Sequence, residues 1–74
     1  MRKETFEMTY NHDHQQWFVN MHGTSYGMHR GEHFEIKMGS RRLPCRLELR
    51  ERWYIITNEV RFDLTPREHY QILY

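Results

Sequence analysis

Leu43, Cys45, Leu47 and Leu49 alternate with Pro44, Arg46, Glu48 and Arg50, and this strict two-residue period constrains the fold more than any other feature. Successive side chains of a strand point to opposite faces, so the run describes a strand with one apolar side. A helix would scatter the same leucines around its circumference. The surrounding sequence follows the same pattern. Phe34, Ile36 and Met38 alternate with Glu35 and Lys37, Gly39-Ser40 supplies a turn, and Trp53-Tyr54-Ile55-Ile56 is rich in strand-forming types.

Upstream, Phe6, Met8 and Tyr10 alternate with Glu7 and Thr9, and Trp17, Val19 and Met21 alternate after a polar turn from Asn11 to Gln15. These read as a first hairpin with more than a two-residue loop. Gly23, Gly27 and Gly31 lie between His22 and Glu32. Their spacing reads as a loop with positive-φ positions or as a bulged, sharply bent strand. Downstream, Thr57-Asn58 turns the chain and Val60, Phe62 and Leu64 alternate again. Thr65-Pro66-Arg67-Glu68 carries a helix-start signature, with room for at most one helical turn near 65–69. Tyr70, Ile72 and Tyr74 then read as a closing strand. Pro44 has no N–H to donate, which marks an edge, a bulge or a strand start.

The expected fold is all-β, a single small domain over residues 1–74. Strands this short do not stack as two large sheets, and closure removes exposed edges. They are expected to form an SH3-like barrel or a partly open β-roll of five to six short antiparallel strands.

At 74 residues the chain buries only about two-thirds of its unfolded surface, so its stability margin is thin. Cys45 is the single cysteine, which excludes an intrachain disulfide and fits a reducing compartment. No apolar run is long enough to cross a bilayer, and Met1 to Tyr10 lacks an apolar signal core. A cytoplasmic, non-membrane protein is expected.

Catalysis is not expected. Cys45 falls on the apolar side of its strand, where a thiol behaves as a small hydrophobe. Ser25 and Ser40 lie in no nucleophile elbow, and the glycines lack phosphate-loop spacing. The six histidines do not fall at the spacings of a structural zinc site, so no metal and no cofactor is expected. His29 reads as a structural donor beside the Gly27–Gly31 loop.

The net charge of +1 gives no global field for nucleic acid, but nine arginines against two lysines is a marked bias. Arginine makes planar, bidentate and stacked contacts, and arginine and aromatics are enriched at interfaces. Two readings of the 41–54 stretch stand open. In one, Arg46, Glu48 and Arg50 face Glu35 and Lys37 as a cross-strand charge ladder. In the other, Arg41, Arg42, Arg46, Arg50 and Arg52 form a basic ridge flanked by Trp53 and Tyr54.

The segment Tyr26-Gly27-Met28-His29-Arg30-Gly31-Glu32, followed by Phe34 and Ile36, Arg46-Leu47-Glu48 and Trp53-Tyr54, resembles a family of short uncharacterised proteins from Gram-positive bacteria and their phages and mobile elements. The likeness covers about half the chain. Arg30 stands where members often carry cysteine, which removes a thiol role. The resemblance implies a small β-fold in a bacterial or phage setting and transfers no activity.

The functional expectation is a non-enzymatic module that binds a protein partner, in one form an effector or modulator inhibiting a host factor. The alternative is a small nucleic-acid-binding barrel that uses the Arg/aromatic ridge. A homodimer that hides an edge strand at Tyr70–Tyr74 is compatible with either.

Overall fold

The alternating runs become eight antiparallel strands in the computed structural model, which describes residues 4–74. β1 is Thr5–Asn11, β2 Gln16–Met21, β3 Thr24–Gly27 and β4 His33–Met38. β5 is Arg41–Leu49, β6 Trp53–Thr57, β7 Val60–Asp63 and β8 Tyr70–Leu73. They form one sheet in the order β3-β2-β1-β8-β4-β5-β6-β7.

Two hydrogen bonds require that sheet to curl. The Met28 N–H donates to the Trp17 carbonyl at 2.8 Å, and the Gly31 N–H donates to the Leu47 carbonyl at 2.7 Å. Trp17 is on β2 and Leu47 on β5, four places apart in the sheet and roughly 19 Å apart if it were flat. The three residue steps from Met28 to Gly31 reach at most about 11 Å. The sheet therefore rolls until β2 and β5 approach across a shared core. Trp17 and Val19 (β2), Ile36 (β4), Leu47 (β5), Ile55 (β6) and Ile72 (β8) are fully buried in it.

Of the two expected forms, the partly open roll is the one found. Among the described residues no ladder joins β3 to β7, so both remain edges. Eight strands are found where five to six were expected, and one of the additional strands is Thr24–Gly27, which pairs with β2 (Val19 opposite Tyr26) in a stretch read as loop or bent strand. The expected helical turn is a single β-turn. Pro66 occupies its second position, and the Glu68 N–H donates to the Thr65 carbonyl at 2.9 Å.

β8 is not an edge strand. It lies between β1 and β4, with Phe6 and Ile36 both opposite Ile72, so Tyr70–Tyr74 offers no free edge for a dimer. Pro44 sits inside β5, but pairing of β5 with β6 begins only at Arg46. The proline therefore occupies a stretch that is open on its β6 side, where no N–H is needed.

The β6–β7 hairpin turns on Asn58 and Glu59, at φ 50° and 63°. Both central residues of such a turn are left-handed, and glycine is favoured at the second. Glu59→Gly is expected to raise unfolding free energy by about 0.5–1 kcal/mol, which urea titration would read directly.

Candidate functional site

β5 and β6 alternate in phase, so their inward and outward residues separate cleanly. Leu47 pairs with Ile55 and Leu49 with Trp53 on the inner face, while Arg46 pairs with Ile56 and Glu48 with Tyr54 on the outer face. Trp53 therefore points to the core side and Tyr54 to the opposite side. Arg42 and Arg46 share the outer face with Tyr54. Arg41 lies at the β4–β5 hairpin opposite Met38, and Arg50 and Arg52 lie in the β5–β6 turn.

The seven ridge residues thus do not form one surface. A strand rises about 3.3 Å per residue, so Arg41 and Arg50 stand roughly 30 Å apart along an unbent β5. In register, the expected ladder partners do not face one another. Lys37 faces Arg42, a like charge, and Glu35 faces Pro44. Among the described residues the arginine ion pairs run along strands: Arg46 to Glu48 at 2.7 Å and Arg61 to Asp63 at 2.8 Å. The Arg61 guanidinium also covers the Tyr54 ring at 4.0 Å. Among the described residues, Arg41, Arg42, Arg50 and Arg52 have no carboxylate within ion-pair distance.

Arginine and aromatic side chains do meet at one place, the turn end of β5 and β6. A cleft of about 600 Å³ opens there. Arg50, Glu51 and Arg52 line one side, Tyr10 and Gln15 the next, and Asp63, Leu64, Thr65 and Pro66 the third, with Leu49 and Trp53 between them. The Trp53 indole N–H donates to the Gln15 carbonyl at 3.0 Å, which ties β6 to the β1–β2 loop and fixes the wall. The Thr65 N–H donates to the Tyr70 hydroxyl at 3.0 Å and holds the opposite wall on β8.

Three of the expected residues, Arg50, Arg52 and Trp53, line this cleft. Arg41, Arg42, Arg46 and Tyr54 do not. Tyr10, Gln15, Leu49, Leu64 and Pro66 were not visible as site residues in the sequence. One local signal was there: Trp53 keeps phase with Ile55 and so falls on the inner face, away from the outward arginines.

The Tyr26–Glu32 segment has a structural part to play. Gly31 at φ +87° turns the chain onto Leu47, where a side chain would be strained. A Cβ at residue 27 would come within 2.8 Å of the Gln16 amide, whose Nε2 donates to the Met28 carbonyl. Glu32 accepts from the His29 backbone N–H and from the Tyr74 hydroxyl. The donor at position 29 is thus the backbone, with the imidazole exposed.

All six histidines are exposed. His22 lies 3.7 Å from Glu4 and His69 3.3 Å from Glu7. Among the described residues no three His, Cys, Asp or Glu side chains converge as a metal site. Burial pushes the Cys45 thiol from its ordinary 9.0 up to about 12. In the unfolded chain that thiol ionises first, so its contribution to stability is complete below pH 9 and is lost as the pH rises from 9 towards 12. The loss is at most about 1.4 kcal/mol per pH unit. Comparing the native chain with Cys45→Val across that range isolates it, because the variant is expected to lack this component.

Residues 6–73 match a family described as "Domain of unknown function (DUF5348)". The chain belongs to the DUF5348 family. No match is found among curated proteins. The crystal structure of a protein from Ruminococcus gnavus is similar, with a TM-score of 0.77 and 18% identity over 96% of this chain and 100% of that one. At that identity the likeness speaks for the fold. No helix among the described residues is long and apolar enough to cross a membrane.

Proposed function

We propose that this DUF5348 domain is a non-enzymatic protein-binding module whose cleft receives a short extended segment of its partner. The observation that carries this reading is the meeting of two guanidiniums, Arg50 and Arg52, with the half-buried rings of Trp53 and Tyr10 in one cleft. Arginine and tryptophan dominate interface hot spots when they line a pocket that excludes water. Leu49, Leu64 and Pro66 add an apolar floor for an aliphatic or aromatic anchor. A carboxylate beside that anchor would pair with Arg50 or Arg52 in forked geometry.

A protein is favoured over nucleic acid because Glu51 and Asp63 line the same cleft and oppose a phosphate backbone. The resemblance to proteins of bacteria and their mobile elements supports a cytoplasmic effector that modulates or inhibits a host factor. The test is capture on the tagged chain from host lysate, with and without nuclease, at low and moderate salt. A defined protein that survives both treatments and is lost with Arg50→Glu/Arg52→Glu supports the reading. Nucleic acid that disappears with nuclease or salt supports the phosphate-binding alternative and overturns it.

A further inference from the structure

β7 is an edge strand that carries apolar residues in the open. Val60 is 61% exposed and Phe62 39% exposed. A free strand edge is a template for another strand unless something blocks it. The hydrogen-bonding direction along β7 follows from its neighbours. The Leu64 N–H donates to the Trp53 carbonyl at 3.1 Å, so Leu64 and, two by two, Phe62 and Val60 turn their backbone groups towards β6. Arg61 and Asp63 therefore turn theirs to the free edge.

We infer that β7 pairs with β7 of a second copy of this chain, antiparallel about a two-fold axis through Phe62. The charge pattern selects this register. An isologous antiparallel ladder must match outward-turned residues with outward-turned residues. Four such centres fall on β7, and the one through Val60 sets Arg61 against Glu59 of the β6–β7 turn, outside the strand. An axis through Arg61 sets arginine against arginine, and one through Asp63 sets aspartate against aspartate. The axis through Phe62 sets each Arg61 opposite the Asp63 of the other copy, and the two Phe62 rings opposite each other. Opposite charges across a ladder stabilise it and like charges oppose it. The two 2.8 Å ion pairs, one within each strand, then exchange for two across the interface, and Arg61 can keep its place over Tyr54. The other edge, β3, offers Thr24 and Ser25, which carry no charge to select a register.

The inference does not rest on the cleft reading, although Asp63 belongs to both surfaces, and self-association is read with no partner present. Its test uses the full chain by sedimentation equilibrium across micromolar to millimolar concentration. The expected mass is twice the 9.3 kDa of one chain. Arg61→Asp and Asp63→Arg each place like charges opposite one another and are expected to weaken self-association at least tenfold. An equimolar mixture of the two restores opposite charges at both positions and is expected to dimerise more tightly than either variant alone. Circular dichroism of each variant confirms that the sheet is kept. A monomeric native chain throughout overturns the inference, as does an unchanged dimer in the single variants or a mixture no tighter than its components.

Discussion

Leu47→Ala is expected to lower the unfolding free energy by about 2–5 kcal/mol, against a total of roughly 4–11 kcal/mol for a chain of this length. Leu47 has no exposed surface and lies beside Ile55, its cross-strand partner on the inner face. Its backbone also joins the roll, accepting from the Gly31 N–H and donating to the Glu32 carbonyl at 2.9 Å. Truncation leaves a cavity at the point where the 28–32 segment docks, and a small domain has few other contacts to absorb it. The outward neighbours give the contrast. Arg46→Gln and Glu48→Gln remove a partly exposed ion pair and are expected to cost about 0–1 kcal/mol each. Urea unfolding of the three variants separates the core member of the triplet from its surface pair. A Leu47→Ala cost below that of Arg46→Gln would contradict the packing described here.

Trp53 carries the second large effect, on partner binding. Its ring walls the cleft and its N–H bridges to the β1–β2 loop at 3.0 Å. Trp53→Phe keeps a ring and loses one hydrogen bond, for an expected stability cost of about 0.5–1.5 kcal/mol. Trp53→Ala empties the wall, and loss of a hot-spot tryptophan typically weakens binding by about 2 kcal/mol or more, near thirtyfold. Retention of the captured partner is therefore expected to fall in the order native, Trp53→Phe, Trp53→Ala. Equal retention by all three chains would remove Trp53 from the site.

The pattern of apolar residues made most of the sheet readable. β1, β2, β4 and β5 each have a more buried and a more solvent-facing side, so their sequences alternate, while β6 was readable from its run of strand-forming residues. β3 was not readable because Thr24 and Ser25 lie on an edge with both sides exposed, where burial imposes no pattern. The place of β8 has its own signal in the sequence. Ile72 and Leu73 are consecutive and both buried, which is the mark of a strand covered on both faces. The alternation of Tyr70, Ile72 and Tyr74 alone has the period of a strand with one open side.

The candidate site was legible only in part. Arg50, Arg52 and Trp53 are adjacent in sequence and remain together in space. Arg41 and Arg42 are near them in the chain yet sit at the far end of a nine-residue strand. Tyr10 near the end of β1, Gln15 in the β1–β2 loop, and Leu64 and Pro66 between β7 and β8 are brought to the β5–β6 turn by the roll, and no local pattern records that approach.

Site-specific photo-crosslinking in host cells tests the central claim most directly. A photo-reactive residue at Thr65 lies in the cleft, and one at Arg42 lies on the outer face. The cleft account predicts a covalent adduct with a discrete protein from position 65 and none from position 42. An adduct from position 42 with none from 65, or crosslinks to nucleic acid alone, would contradict it.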